Sequence, residues 1–499
     1  MRKNRCILLL LAALSLTGSI MTACGDTSAD TGSTTADAAG TEAVSETAAV
    51  TEELDFTYPV FDGLDYGGHI FNVYMFEWGM FREYFAAEEQ NGEVLNDTLW
   101  EREQKVLDTL NVDMAYHKPD GTTFNLVSRI QTQVMAGDQT YDLFLTHCCM
   151  ELNTISAAGY LYNFNNLPNI DLSQPYWNQN MQETLDIGGF LPVAFGDYMI
   201  SDPDVIFFNK QLLQNYDLTS PYELVKNGSW TWDTLIEMSA AATQDLNGDG
   251  TMNESDQYGF MAELDWQFNG IMQSTGEYLI SRGDDGSYVF NPLTEKTINM
   301  ITKLNDFLYA SGDAYTWTYK QEYDVNNGFE PPVSFKNGNA LFFMVPMNTA
   351  SSYRETEVDF GILPFPKYDT EQETYQSLNW SGLMGVPSNA ENPERTGAVL
   401  ELLNAEGRAS VLPVYYDIIL TSKISRDEES AEMLDIIFNN TVFDFGMTYQ
   451  TSNDLFYMYP NLLKSKSTDV ASYYDSKIKA ANKSLERFLE DIEEVMANQ

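Results

Sequence analysis

The chain has 499 residues and a formal net charge of −47, which argues against two classes of partner. A body this acidic repels phosphate backbones and anionic lipid surfaces, so we expect no nucleic-acid partner and no membrane contact beyond a possible anchor. Aromatic residues make up 13% of the chain, enough to supply both a large core and stacking surfaces for a neutral ligand.

The first 23 residues have the layout of a secretory signal. Arg2 and Arg5 belong to a positive stretch, residues 7–16 are apolar, and small residues lead to Cys24. The apolar run is too short to span about 30 Å of hydrocarbon, so we predict a cleaved signal peptide over 1–23. The end of the segment resembles the bacterial lipobox, with Met21 in place of the usual leucine. This resemblance implies a lipid on Cys24; the alternative is an ordinary signal with an incidental cysteine.

Residues 24–54 are predicted to form a lipid-anchored spacer. From position 25 to about 52 the chain is nearly all Ala, Thr, Ser, Gly, Asp and Glu, without an aromatic residue. Such a composition cannot bury enough apolar area to fold. We therefore expect a bacterial lipoprotein held at the outer face of the cell membrane, with a soluble body behind its tether.

The elements of the body alternate between strands and helices. Apolar alternation predicts a strand over 68–75, and Asn96-Asp97 is placed to cap a helix that ends near Asn111. A second helix ends at Gly137, and a strand follows at 141–145. Further along the chain we predict strands over 190–198, 204–209, 340–345 and 360–364, a helix over 232–242 capped by Thr231, and a long amphipathic C-terminal helix from Asp469. The pattern predicts an α/β fold with largely parallel sheets.

An ordered set of segments resembles the extracellular (family 1) solute-binding proteins of ABC-type sugar importers. The resemblance covers residues 55–499 and depends on the segments Asn96-Asp97, Tyr141-Asp142-Leu143, Phe208-Asn209-Lys210, Gly228 to Asp233, Asp245 to Gly250, Phe335 to Gly338 and Phe360 to Pro366. It implies a two-lobed clamp of the periplasmic-binding-protein type II-like class, with crossover hinge strands and the ligand between the lobes.

The resemblance also suggests where the lobes divide. Crossings near 193–203, 378–388 and 430–436 would place 55–197 and 386–432 in lobe one. Lobe two would then hold 198–385 and 433–499.

A sugar cleft needs aromatic rings for the apolar faces of pyranoses and polar groups for their hydroxyls. Positions after strand ends and on the crossovers are the best candidates, because ligands of open α/β sheets lie beyond the carboxyl ends of strands. For any one tryptophan, core packing is the alternative, and we expect it for Trp230 and Trp232. The predicted ligand-binding residues are Glu77, Trp78, Asp197, Tyr198, Trp266, Met347 and Trp380.

Residues 245–256 have the spacing of a calcium loop, with glycine at the sixth position for the sharp turn. The twelfth position is Asp256, where an EF-hand has the longer glutamate. A structural Ca²⁺ and a capped acidic turn without an ion therefore both stay open. The predicted ligands are Asp245, Asn247, Asp249, Thr251, Asn253 and Asp256.

His147, Cys148 and Cys149 are consecutive after the 141–145 strand. A cysteine–histidine group invites a nucleophile or a metal. Neighbouring residues seldom direct their side chains at one atom, however, so we expect no function here. We also expect no disulfide framework, because adjacent Cα atoms lie about 3.8 Å apart, closer than the usual disulfide range.

The leading interpretation is a monomeric receptor, not an enzyme, that captures a neutral carbohydrate and delivers it to an ABC transporter permease. One alternative is a secreted glycoside hydrolase or lyase that uses two carboxylates. No recognisable catalytic pair or zinc-binding motif supports it, and the chain has only three histidines. Another alternative is a surface peptide-binding or adhesin module on the same scaffold, because a fold does not fix its ligand.

Overall fold

The computed structural model describes residues 55–75, 85–117, 126–149, 152–253, 255–283, 285–318, 335–353, 356–421 and 428–498. By its contacts, Leu54–Gln499 forms one compact unit. The predicted signal peptide, Cys24 and the spacer lie outside the described residues.

The strands alternate with helices, as the apolar patterns predict. They are β1 (His69–Met75), β2 (Val112–His117), β3 (Leu143–His147), β4 (Asp204–Asn209), β5 (Tyr258–Glu263), β6 (Ile280–Arg282), β7 (Tyr288–Phe290), β8 (Ala314–Trp317), β9 (Ala340–Pro346), β10 (Phe360–Leu363), β11 (Ser377–Leu378), β12 (Gly382–Gly385) and β13 (Thr441–Val442).

The helices are α1 (Val94–Leu110), α2 (Leu126–Ala136), α3 (Leu152–Ala157), α4 (Gln179–Leu185), α5 (Lys210–Asn215), α6 (Pro221–Lys226), α7 (Trp232–Ala242), α8 (Ile271–Ser274), α9 (Glu295–Tyr309), α10 (Pro393–Glu406), α11 (Leu412–Thr421), α12 (Glu428–Asn439), α13 (Phe445–Thr448), α14 (Met458–Lys464) and α15 (Val470–Asn498). Among the described residues, no helix combines the length and the apolar character needed to span a membrane.

Two larger sheets organise the chain. The first has the order β12-β3-β1-β2, with β1, β2 and β3 parallel and β12 antiparallel to β3. The second has the order β10-β4-β9-β5-β8, with β9, β5 and β8 parallel and β4 antiparallel to β9. Nearly all residues of β3, β4, β5 and β9 are buried, which matches their continuous apolar sequences.

Several local predictions are confirmed. Thr231 caps α7 by accepting the N–H of Thr234 at 3.3 Å. The C-terminal helix begins at Val470 and buries Leu485 and Phe488 on the predicted face. Trp230 and Trp232 are fully buried, as expected of structural residues.

Two local predictions are wrong. The first long helix begins at Val94 rather than after Asn96-Asp97, because the Glu93 side chain accepts the N–H of Asn96 as the N-cap. Asp97 instead accepts the N–H of Asn91 in the preceding loop at 2.9 Å. Residues 190–198 form no regular strand; they make isolated bridges, among them Ala194 to Met384, and the chain turns at Asp197 and Tyr198.

Two stretches of chain, residues 194–203 and 379–384, lie side by side between the sheets. Antiparallel bridges join them at both ends, from Ala194 to Met384 and from Pro203 to Asn379. We call residues 194–203 and 379–384 the crossing segments. Residues 430–436, the third predicted crossing, lie within α12, which packs against β10. The predicted lobe boundaries stay a prediction.

Candidate functional site

The carboxyl ends of strands from both sheets meet at the crossing segments. In the second sheet, Asp204 at the start of β4 pairs with Pro346 at the end of β9, and β5 ends beside them at Glu263. In the first sheet, β3 ends at His147 opposite Gly382 of the second crossing segment. This is where an open α/β sheet places its ligand.

Asp202 lies on the first crossing segment and is 5% exposed. Its two carboxylate oxygens accept the backbone N–H of Asn348 at 2.8 Å and the side-chain amide of Asn348 at 2.7 Å. Its own backbone N–H donates to Asn379 Oδ1 on the second crossing segment. Burial raises the pKa of Asp202 to about 7, although the Asn348 donors and His147 oppose the rise. Asp202 therefore links the first crossing segment to the loop after β9 through its carboxyl group and to the second crossing segment through its backbone N–H.

Trp380 lies on the second crossing segment and donates its indole N–H to Asp204 Oδ2 at 2.9 Å. Within the described residues, the other oxygen, Asp204 Oδ1, is buried without a hydrogen-bond donor. Burial raises the pKa of Asp204 well above its usual value, and the nearby Asp202 and Glu263 carboxylates raise it further. A buried carboxyl with an unsatisfied oxygen is costly, and a ligand donor can satisfy it.

Trp266 follows β5 and forms an edge-to-face pair with Trp380, with ring centroids 6.3 Å apart and an interplanar angle of 84°. Glu263 fixes the turn before Trp266, because its carboxylate accepts the N–H groups of Asp265 at 2.7 Å and Trp266 at 3.0 Å. Burial raises the pKa of Glu263 to about 8. Trp266 is 38% exposed and Trp380 is 8% exposed, so the pair offers an aromatic surface to solvent mainly through Trp266.

Asp197 and Tyr198, predicted to face the cleft, contact side chains of Arg408, Arg102 and Tyr116. Arg408 donates to Asp197 at 3.1 Å, and burial raises the pKa of Asp197 to about 7. Tyr198 is fully buried, with the Arg102 guanidinium 4.8 Å from its ring centroid and its hydroxyl 3.1 Å from that of Tyr116. Their role in ligand binding stays a prediction.

The remaining predicted ligand residues are Met347, Glu77 and Trp78. Met347 is fully buried, and its backbone N–H donates to Pro203 O at 2.9 Å. Its neighbour Asn348, rather than Met347, presents the polar group that reaches Asp202. Glu77 and Trp78 lie outside the described residues. Of the predicted ligand residues, the structure thus brings Trp266 and Trp380 together.

Sequence reasoning missed Asp202, Asp204 and Glu263 as members of this cluster. The first two lie within or beside the predicted crossover at 193–203, and the third ends a predicted strand. Acidic residues in otherwise apolar strand ends were the available signal, since a carboxylate is seldom fully buried without a role.

His147, Cys148 and Cys149 contradict the expectation that neighbouring side chains diverge. Their donor atoms all lie within 4.8 Å of one another. The chain turns at Cys148 and Cys149, which breaks the alternation of β3. His147 Nδ1 lies 3.1 Å from Cys149 Sγ and 3.6 Å from Cys148 Sγ. A hydrogen bond from Cys148 lowers the pKa of the Cys149 thiol, and the adjacent His147 lowers it further. Burial raises the pKa of the Cys148 thiol.

The predicted calcium loop connects α7 to β5, away from the crossing segments. Asp245 accepts the N–H groups of Gly248 and Gly250, each at 2.7 Å, and these bonds lower its pKa. The fully buried Asp256 accepts the N–H groups of Leu246 and Asn253. Such bonds arise both in a capped turn and in a loop that binds an ion, so the calcium site stays a prediction.

Two surface cavities lie elsewhere. One of about 610 Å³ is lined by Tyr162 and Val495, beside the end of α15. The other, of about 920 Å³, is lined by Asn209, the last residue of β4, and by Asp359, which directly precedes the neighbouring strand β10. Neither contains the tryptophan pair or the buried carboxyl groups, so we place the candidate site at the crossing segments on chemistry and topology.

Residues 120–406, more than half of the chain, match a family model described as bacterial extracellular solute-binding protein. Comparison with curated protein sequences gives no significant match.

Several solved structures have a similar fold, and almost the whole length of each aligns with this chain. An ABC substrate-binding protein of Listeria monocytogenes in complex with cycloalternan is 13% identical, with a TM-score of 0.51, and covers 86% of this chain and 99% of its own. The galacto-N-biose-/lacto-N-biose I-binding protein of Bifidobacterium longum is 15% identical, with a TM-score of 0.55 and the same coverage. A sugar transporter of Rhizobium etli in an open conformation is 14% identical, with a TM-score of 0.55, and covers 85% and 99%. These similarities confirm the predicted two-lobed α/β fold.

Proposed function

The chain belongs to the bacterial extracellular solute-binding protein family, and from this premise we propose that its solute is a neutral carbohydrate, most simply an oligosaccharide. The ligand would lie at the crossing segments, between the ends of β3, β5 and β9. Closure of the two lobes around it would follow the hinge motion common to such clamps.

The observation that carries this proposal is the Trp266–Trp380 pair beside the buried carboxyl groups of Asp204 and Glu263. Pyranose rings present apolar C–H faces that stack on indole rings. Their hydroxyls both donate and accept hydrogen bonds, so one of them can serve Asp204 Oδ1 whether or not that carboxyl group is protonated. A few polar groups converging on an aromatic surface is the usual composition of a small-molecule site.

The structural relatives support the same ligand class. The Listeria protein is in complex with cycloalternan and the Bifidobacterium protein with lacto-N-biose. At 13% and 15% identity, the shared property is the fold.

The proposal extends to location and partners. Cys24 would carry the lipid, and residues 25–54 would tether a monomeric body near the permease of an ABC transporter. The protein would bind its sugar and release it unchanged, as a receptor rather than as an enzyme.

The test is a titration of the intact protein with glucose, galactose, maltotriose and lacto-N-biose, followed by calorimetry and by the shift of the melting temperature. A specific sugar should raise the melting temperature by mass action and be recovered chemically unchanged. Cleaved or eliminated products would favour the enzyme, whereas binding of peptides but of no glycan would favour the peptide-binding module.

The Trp380→Ala variant locates the site within that experiment. Affinity for the sugar should fall about tenfold or more, equivalent to about 1.4 kcal/mol or more. Leu246→Ala, an exposed apolar residue in the acidic loop, is the control and should bind like the unmodified protein. Unchanged affinity in the Trp380 variant would contradict the site assignment.

A further inference from the structure

The end of β3 carries a cluster of metal-binding atoms that solute capture does not use. We propose that His147, Cys148 and Cys149 form a thiolate–imidazole site for a zinc-class divalent cation, bound through His147 Nδ1 and the two Sγ atoms. This site would be separate from the acidic loop at 245–256 and would take a softer metal than calcium.

The donor separations fit a single ion. Typical bonds of about 2.3 Å to sulfur and about 2.0 Å to nitrogen place tetrahedral donors roughly 3.5 to 3.8 Å apart. His147 Nδ1 lies 3.1 Å from one sulfur and 3.6 Å from the other, and all the donor atoms lie within 4.8 Å of one another. Small side-chain rotations would bring the three atoms onto one ion.

The local backbone favours this convergence. Cys149 donates its backbone N–H to His147 Nδ1 at 3.4 Å, so this nitrogen faces the turn, and a bound ion would replace the long hydrogen bond. Gln450 donates its side-chain amide to the carbonyl oxygen of Cys149 and so fixes the turn from outside. Gln450 itself has the unusual φ of 46° for a residue with a side chain. The turn is therefore held by a distant segment of the chain.

The donor types select the class of ion. Two thiolates and an imidazole suit zinc and other soft or borderline metals, whereas calcium and magnesium prefer oxygen. Two thiolates neutralise a divalent ion, so the buried complex would carry no net charge from these groups.

Accessibility and redox state are compatible with the site. His147 is 1% exposed and Cys148 fully buried, but Cys149 is partly exposed and leaves an entry path. Both cysteines are free thiols. A bond between adjacent cysteines spans Cα atoms about 3.8 Å apart, below the usual range, and such a strained disulfide is easily reduced.

The experiment uses the intact protein, reduced and freed of metal by a chelator, and Co²⁺ as the spectroscopic probe. A thiolate-to-cobalt charge-transfer band should appear and saturate at a single ion per chain, and Zn²⁺ should abolish it. In the same protein, Zn²⁺ should slow the alkylation of Cys149 by a maleimide at least tenfold. The alkylation measurement needs no variant and so does not depend on whether a mutant folds.

Two variants locate the ion. Cys149→Ser should lose most of the band, whereas Asp245→Asn should keep it, because the acidic loop offers only oxygen ligands. His117→Asn, a histidine on β2 that bonds Asn72, is the matched control and should also keep it. The proposal is overturned if the reduced protein gives no thiolate band, if the Cys149→Ser variant keeps it, or if the protein retains a Cys148–Cys149 disulfide under ordinary reducing conditions.

Discussion

Two pairs of tryptophans occupy the second sheet and its surroundings, and they differ in their position relative to the crossing segments and in the groups around them. Trp230 and Trp232 flank the N-cap of α7 and are fully buried, with indole N–H groups bonded to Pro364 O and Ser274 Oγ. Trp266 and Trp380 lie at strand ends beside buried carboxyl groups, and Trp266 is 38% exposed. All four residues are tryptophans, so residue type does not separate the two pairs. Their position relative to the crossing segments separates the pair that packs in the core from the pair proposed to bind the ligand.

The strongest test of the contrast is Trp232→Ala. Removing this fully buried ring should lower the free energy of unfolding by about 3–5 kcal/mol, because a cavity remains in the core. Urea unfolding measures the change. The matched variant Trp266→Ala should leave stability within about 0.5 kcal/mol. Equal losses in both variants would remove the distinction between the pairs.

Trp380→Phe should have an intermediate effect on stability. It keeps an aromatic ring but leaves Asp204 without its indole donor, which should cost about 1–3 kcal/mol. In a double-mutant cycle, adding Asp204→Asn should recover part of that loss, since a neutral amide is less costly to bury unpaired. Additive losses in the cycle would show that the Trp380–Asp204 bond does not determine the stability of this region.

Trp266→Ala should affect ligand binding more than folding. The exposed indole contributes a stacking surface, so affinity for the cognate sugar should fall about tenfold, or about 1.4 kcal/mol, in calorimetry. Trp230→Phe, at a buried position away from the strand ends, should keep the affinity. A normal affinity in the Trp266 variant would place the sugar outside the aromatic pair.

The buried carboxyl groups predict an unusual pH dependence. Burial raises the pKa of Asp202 from about 4 to about 7, so between these values the folded state holds a proton that the unfolded chain releases. Stability should therefore fall as pH rises through this window, by up to about 4 kcal/mol for this group at about 1.4 kcal/mol per pKa unit. Asp202→Asn should flatten the profile in thermal melts at several pH values. Asp113→Asn, on the exposed side of β2, should leave the profile unchanged.

Calcium should have the smallest effect, and one confined to stability. If the acidic loop binds Ca²⁺, a tenfold excess over its dissociation constant should stabilise the protein by about 1.4 kcal/mol. Sugar affinity should not change, because the loop lies away from the crossing segments. Asp249→Asn should abolish the shift of the melting temperature, while Asp285→Asn, in another exposed turn, should preserve it. An equal shift in both variants would place the ion elsewhere.

Sequence patterns predicted much of the fold because burial and periodicity are local. The buried runs of β4 and β9 and the apolar stripe of α15 could be recognised from their residues alone. The short strand β12 could not, because Gly382–Gly385 is assigned by its partner β3 rather than by its own composition.

The candidate site was predicted less completely. Trp266 and Trp380 were chosen by their position near strand ends, and the structure brings them together. Asp197 and Tyr198 lie only a few residues from Asp202, yet they turn into contacts with Arg408 and Arg102. Which side of an extended crossing segment faces the cleft depends on tertiary packing. The turn that gathers Cys148 and Cys149 likewise depends on Gln450, far away in the chain.

The pairing of β12 with β3 has a consequence for the order in which the molecule is built. Thr146 donates to the carbonyl oxygen of Leu383, a residue 237 positions later, so the first sheet lacks its edge strand until all five strands of the second sheet have been synthesised. Contacts this distant in sequence slow folding, because a large loop must close before they form. A nascent chain with such an architecture stays incomplete for most of its synthesis, a state that suits passage through a translocation channel before folding.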